Sequence, residues 1–387
     1  MPETGNSSRA VSRRSQISPF VVMDVMRAAN ERASQGHDII HMEVGQPATP
    51  APRVVREAVK AAVDREVLGY TEALGIPALR ERIARHYREA YGVEVSPAEV
   101  IVTAGSSAGF VLAFLALLDE GDRLLMAEPG YPCYRNIARA FGIEPVATPV
   151  GDAERWAPSV AMLAAQEHAR ALLLASPANP TGTSLTDETL AALCAHCDAQ
   201  GITLISDEIY HGLTYAAPAK TARAFSRNAL VINSFSKYYS MTGWRVGWMV
   251  VPPALVRPME RLAQNLYISP TSISQIGALA AFDAVEELEA NKAVYAANRA
   301  LLLEELPRAG LSSLAPADGA FYLYADVSHL TGDSHHFVGR MLREAAVAAT
   351  PGTDFDPARG HHFVRFSYAG STAEMAEAAK RLRHWLK

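Results

Sequence analysis

Between residues 100 and 251 the chain alternates short apolar runs with amphipathic ones. The runs fall at 100–103 (VIVT), 123–127 (RLLMA), 171–175 (ALLLA), 202–206 (ITLIS), 229–233 (ALVIN) and 246–251 (VGWMVV). Each is short enough for a buried strand, and helical patterns separate them. That alternation predicts an α/β fold of three layers, a mostly parallel sheet with helices on both faces. Ligands bind such sheets beyond the carboxyl ends of the strands, so the residues that follow each run are the ones to read.

After Thr103 comes AGSSAG and an apolar helix pattern, where Gly105, Ser106 and Ser107 leave amides and hydroxyls free for an anion. Serine and glycine are also ordinary helix starters. After Ala127 comes EPGYPCY, in which Tyr131 offers a flat face. After Ala175 comes SPANPTG with the amide of Asn179, and after Ser206 comes DEIY with Asp207 and Tyr210. An aspartate at a strand-to-helix junction can equally be a helix cap. After Asn233 comes SFSKYYSMTGWRVGW, which sets Lys237 beside Ser234 and Ser236 and places Arg245 eight residues on.

A lysine ammonium is a poor nucleophile at neutral pH, but beside another cation or out of water it loses its proton and can form an imine. Arg245 is the candidate neighbouring cation, and with the two serines it can seat a phosphate. A surface lysine on a serine-rich turn is the competing account. Taken together, the five strand ends supply phosphate donors, a stacking face, an amide, a carboxylate with a phenol, and an imine-forming lysine. That set fits pyridoxal 5′-phosphate, whose ring nitrogen stays protonated beside a carboxylate such as Asp207.

Composition narrows the partners. With 387 residues, 49% hydrophobic and 20% charged, the chain is of ordinary globular make-up and long enough for two domains. A formal net charge of −5 gives no broad basic surface for nucleic acid or anionic membrane. No apolar run approaches the roughly 20 residues of a membrane helix. The first 16 residues lack the apolar centre of a secretory signal and read as a flexible arm. Three cysteines fit a reducing cytoplasm, and Cys194 and Cys197 read as buried thiols of a helix despite their CxxC spacing. His335, His336, His361 and His362 form two sequence pairs to which no metal is assigned.

Six motifs in order make the chain resemble the class I/II aminotransferases of the aspartate aminotransferase fold. They are GQP (45–47), YTEALGIPALR (70–80), NPTG (179–182), SDEIY (206–210), SFSKYYSMTGWRVG (234–247) and VRFSYA (364–369). The resemblance runs from about residue 17 to the C-terminus. It implies an arm and part of a small domain in 1–46, a large cofactor-binding domain in 47–290, and the rest of a small α+β domain in 291–387. It implies that Lys237 forms the imine with pyridoxal phosphate and then moves the proton, with Asp207 on the ring nitrogen, Tyr210 and Asn179 at the ring hydroxyl, and Tyr131 stacked on the ring. Gly105, Ser106, Ser107, Ser234, Ser236 and Arg245 match phosphate positions. Tyr70 matches one that reaches the neighbouring subunit's phosphate in a homodimer. Gly45, Asn179 and Arg365 match substrate positions, Arg365 gripping the α-carboxylate. The residues agree in kind, because an arginine in an apolar strand is costly to bury without an anion; a structural ion pair is the alternative.

The resemblance further implies a ping-pong transfer of an α-amino group, with 2-oxoglutarate as the usual acceptor. Members dedicated to aspartate add a cation for the second carboxylate. This chain has Ser107 where some relatives have lysine, and AQNLYISPTS (263–272) where others supply a partner arginine. Neutral donors such as alanine, branched-chain or aromatic amino acids are therefore expected, with aspartate as the alternative. Lyases acting on a β-carbon share the scaffold. A non-catalytic sensor usually carries a fused domain, for which the first 16 residues leave no room. No GxGxxG follows the early strands, which disfavours a nicotinamide enzyme.

Overall fold

The computed structural model describes residues 11–166 and 168–387; residues 1–10 of the expected arm lie outside the described residues. Twelve strands are described: β1 Ile40–His41, β2 Val100–Thr103, β3 Arg123–Glu128, β4 Glu144–Pro149, β5 Ala169–Ala175, β6 Thr203–Asp207, β7 Leu230–Ser234, β8 Gly247–Val250, β9 Tyr322–Asp326, β10 Val347–Ala348, β11 Thr350–Pro351 and β12 Phe363–Ser367.

Seven of them form the main sheet in the order β2-β8-β7-β6-β5-β3-β4. β8 pairs antiparallel with both neighbours, while β7, β6, β5, β3 and β4 pair in parallel. Six of the seven lie where the apolar runs predict. The seventh, β4 (EPVATP), is not expected from sequence, because Pro145 and Pro149 argue against a strand. Its place at the sheet edge explains it: a proline there withholds no ladder hydrogen bond from a further strand.

Alternation along these strands sorts the core into two faces. Val102, Leu172, Leu174, Leu204 and Val231 pack with the helices Pro77–Tyr91 and Asp187–Gln200. Ile101, Leu124, Leu173, Ile205 and Ile232 take the other face, packed with the helices Gly105–Leu117 and Pro132–Ala140.

A second, antiparallel sheet of order β11-β12-β9 lies beside the first, with β1 and β10 paired in parallel. The long helix Val285–Arg308 runs unbroken through positions 290 and 291. The first helix, Val21–Ser34, lacks a capping side chain of its own at Phe20. The carboxylate of the distant Asp354 accepts from Val21 N and Val22 N instead, both at 3.2 Å, which ties the N-terminal segment to the loop after β11. Among the described residues no helix is long and apolar enough to cross a membrane.

Candidate active site

β5, β6 and β7 are central in the main sheet, and the residues beyond their carboxyl ends meet the second sheet, Asn179 after β5 bonding to Arg365 on β12. Lys237 follows β7 in a turn, half-buried, and its Nζ donates to the Gly45 carbonyl oxygen at 2.5 Å. Its pKa is pushed down to about 7, first by burial, then by the Arg365 and Arg245 cations, with Asp207 opposing. The sequence points to Arg245 as the neighbouring cation; Arg365, far away in the chain, acts more strongly.

Asp207 ends β6 and is buried. Its Oδ2 accepts from the Tyr134 hydroxyl and its Oδ1 from Ile209 N at 3.1 Å. Burial raises its pKa to about 6. Among the described residues no guanidinium or ammonium is hydrogen-bonded to it, so this is a buried acid held by neutral donors. The Ile209 contact also gives it the turn-capping role that sequence leaves open.

Tyr210 sits in the turn after β6, buried, with its hydroxyl 2.7 Å from that of Tyr322. Tyr131 caps the helix Pro132–Ala140, edge-on to Phe20 and to Tyr134 at centroid distances of 5.6 and 5.3 Å.

At the opposite corner the anion donors gather. Gly105 opens its helix at φ +76°, and a Cβ there would stand 2.5 Å from Arg245 Nη2. Glycine therefore lets the guanidinium lie against the amides of the helix start. Arg245 itself adopts φ +49°, held by its Nη1 bond to Thr242 O at 3.0 Å. Ser234 and Ser236 are buried and joined through their hydroxyls at 2.9 Å. Ser106 is half-buried and Ser107 exposed. A phosphate needs this combination of a helix N-terminus, hydroxyls and a guanidinium.

Arg365 projects from β12 and is buried. Its Nη1 donates to Asn179 Oδ1 at 2.9 Å and its Nη2 to the Glu43 carbonyl and to Thr350 Oγ1. The guanidinium lies between the rings of Tyr322 and Phe355, at 4.3 and 4.7 Å from their centroids. Its Nε is buried without a partner, and no carboxylate among the described residues pairs with it. The ion-pair alternative is thus not what is seen; the cation is held by neutral groups with a donor to spare, as a carboxylate ligand requires.

Tyr70 lies apart on the surface, 84% exposed on a loop with Val67 and Leu68. The loop is tied to the segment after Tyr267 by Thr71 N donating to Ser269 Oγ at 3.3 Å. Within one chain Tyr70 has no neighbour among the described residues that places it in the site.

Sequence reasoning missed Tyr134, Tyr322 and Phe355. Tyr134 carries a signal, three residues after Tyr131 and so on the same helix side. Tyr322 and Phe355 carry none, since their partners are distant in the chain. Cys194 and Cys197 are buried in the helix Asp187–Gln200 with thiols pushed up to about 12 by burial, which keeps them neutral. No cluster able to hold a metal occurs among the described residues.

The residues present fit pyridoxal phosphate: a buried acid with no cation hydrogen-bonded to it, a lysine whose pKa is lowered to about 7, and anion donors gathered at a helix start. Comparison with known proteins agrees. The family Aminotransferase class I and II matches residues 37–382. The chain is 50% identical over 381 residues to the valine–pyruvate aminotransferase of Mycobacterium tuberculosis, covering 97% of this chain and 98% of the relative. It is 31% identical to an aspartate aminotransferase of Pyrococcus horikoshii, covering 94% of each. Among solved structures, an aminotransferase from Mycobacterium tuberculosis superposes with a TM-score of 0.96 at 50% identity, covering 97% of this chain and 99% of that one. The aspartate aminotransferase of Thermus thermophilus with maleate superposes with a TM-score of 0.92 at 32% identity, covering 97% and 99%. Family, fold and site chemistry converge: this chain belongs to the class I and II aminotransferases, enzymes whose membership implies pyridoxal phosphate as cofactor.

Proposed function

We propose that the enzyme moves the α-amino group of a neutral L-amino acid to a 2-oxo acid by ping-pong exchange, with pyridoxal phosphate held beyond the carboxyl ends of the central strands of the main sheet. The observation that carries this reading is the distribution of cations. Lys237, Arg245 and Arg365 are the cations of the site, and they answer in turn the aldehyde, the phosphate and the α-carboxylate. The nearby Arg135 is already bonded to the carbonyls of Asp354 and Phe355. A second substrate carboxylate would find no unused cation among the described residues of this chain, at a desolvation cost of about 2 kcal/mol or more.

The bound cofactor supplies an electron sink for the substrate's α-carbon. When the cofactor is bound, Asp207 would hold the ring nitrogen's proton, and Tyr210 and Asn179 would bond to the ring hydroxyl oxygen. Gly105, Ser106, Ser107, Ser234, Ser236 and Arg245 would hold the phosphate, and Tyr131 would cover the ring. Arg365 and Asn179 orient the substrate carboxylate against Gly45. Lys237, close to neutrality, takes and returns the α-proton at Nζ.

The relative named a valine–pyruvate aminotransferase supports a neutral donor and puts pyruvate beside 2-oxoglutarate as an acceptor to test. The assembly proposed is a homodimer, in which the exposed apolar groups Val67, Leu68, Tyr70, Tyr267 and Ile268 are covered and Tyr70 reaches the neighbouring site. A reducing cytoplasm is the proposed location, consistent with three unbridged thiols.

The test is a donor panel of valine, alanine, phenylalanine and aspartate against pyruvate and 2-oxoglutarate. Neutral donors should exceed aspartate in kcat/KM by about 30-fold or more. Aspartate as the preferred donor would overturn the reading, and pyruvate with ammonia from a cysteine conjugate as the main product would favour a lyase.

A further inference from the structure

Tyr322 touches both halves of the site and belongs to neither set of residues assigned above. It lies on β9, 1% exposed. β9 and β12 pair antiparallel with Arg365 opposite Tyr324 and Ser367 opposite Tyr322, so Tyr322 and Arg365 are diagonal neighbours on one face of the second sheet. That register lays the phenol ring under the guanidinium at 4.3 Å. The same side chain ends 2.7 Å from the Tyr210 hydroxyl. Its oxygen also presses on Gly45, where an added Cβ would overlap it at 1.8 Å, and Gly45 O is the acceptor of Lys237 Nζ. One rigid ring therefore touches the carboxylate-binding arginine with its face, and the Tyr210 phenol and the Gly45 loop with its edge.

We infer that Tyr322 is a positioning residue that couples the two halves: its hydroxyl donates to the Tyr210 oxygen, fixing the Tyr210 proton towards the cofactor's ring hydroxyl, while its ring fixes the plane of Arg365. The inference rests on Tyr210 facing that ring hydroxyl. A phenol can present its proton in only one direction, and a donor at its oxygen from behind leaves that proton for the site. Losing the donor weakens the hold of Tyr210 on the anionic ring oxygen. The protonated form of the bound cofactor then persists to higher pH.

The experiment uses cofactor-loaded enzyme without substrate and reads the absorbance of bound pyridoxal phosphate against pH. Tyr210→Phe should raise the midpoint by on the order of one pH unit. Tyr322→Phe, which keeps the ring and removes one oxygen, should raise it by a part of that, and the double variant by no more than Tyr210→Phe alone. In parallel, 3-methylbutanoate serves as a carboxylate probe without an amino group. Its Kd should stay unchanged in Tyr322→Phe and rise roughly 2- to 30-fold in Tyr322→Leu, which removes the ring from Arg365. An unmoved midpoint in Tyr322→Phe, or shifts that add in the double variant, would overturn the inference while leaving the cofactor site intact. If Tyr210→Phe itself leaves the midpoint unmoved, the placement of Tyr210 fails and the inference falls with it.

Discussion

Asp207 and Glu208 are adjacent in the chain and both buried, yet they face opposite sides of the main sheet and meet different chemistry. Asp207 shares its face with Ile205 and is touched by the Tyr134 hydroxyl and one amide, with the Lys237 cation pulling its pKa down against burial. Glu208 turns to the other face. Its Oε1 accepts from Ser206, Thr221 and Ala222 N at 3.1, 3.0 and 2.8 Å, and its Oε2 lies 3.5 Å from His211 Nδ1. Burial raises Glu208 to about 8 and lowers His211 to about 3, so at neutral pH that contact joins two uncharged groups. Burial is common to both acids and does not make a site. Asp207 is held where a cation can be added; Glu208 is surrounded by the donors that pin the 221–222 segment to the sheet.

Four changes test that contrast, in falling order of effect except that the two acids are taken as a pair. Lys237→Ala removes the amine on the Asp207 side and should lower turnover by on the order of 10⁴-fold or more, with circular dichroism and Tm preserved. Near-normal turnover would break the contrast at once. Asp207→Asn should lower kcat by about 10²-fold or more, whereas Glu208→Gln should stay within about threefold, since it preserves a group already neutral at pH 7. Equal losses would place both acids in the same role. Arg365→Leu should raise the donor's KM by roughly 10- to 100-fold and change kcat less, extending the active face to the second sheet.

The smallest effect is on stability. Glu208 has a folded pKa above its unfolded value of 4.5, so the folded form holds a proton that the unfolded form has released between about pH 4.5 and 8. The contribution of Glu208 to stability should fall as pH rises through that window and level off above it, while His211, lowered to about 3 by burial, contributes with the opposite sign below about pH 6.5. In urea unfolding of the apoprotein, the stability of Glu208→Gln relative to wild type should rise with pH across that window, and a difference that does not change with pH would mean that Glu208 is ionised in the fold.

The strand ends are legible in the sequence because each carries its polar residues immediately after an apolar run, and a period of two places alternate residues on one face. Asp207, Tyr210 and Lys237 need no more than that. The edge strand β4 is not legible, because Pro145 and Pro149 are signals against a strand unless its edge position is known. Tyr322 and Phe355 are not legible either. Their importance comes from a register between β9 and β12 and from a loop near 355, and no local pattern encodes a partner so distant in the chain. The lowering of the Lys237 pKa by Arg365, a residue distant in the chain, is of the same kind.

The central claim is that Lys237 is the amine that carries the cofactor opposite Asp207. Borohydride reduction of the loaded enzyme followed by peptide mass mapping tests it directly. The account predicts the added mass of the reduced cofactor on Lys237 in wild type, and its absence from that peptide in Lys237→Ala. Cofactor mass on another lysine, or none on the peptide that contains residue 237, would contradict it.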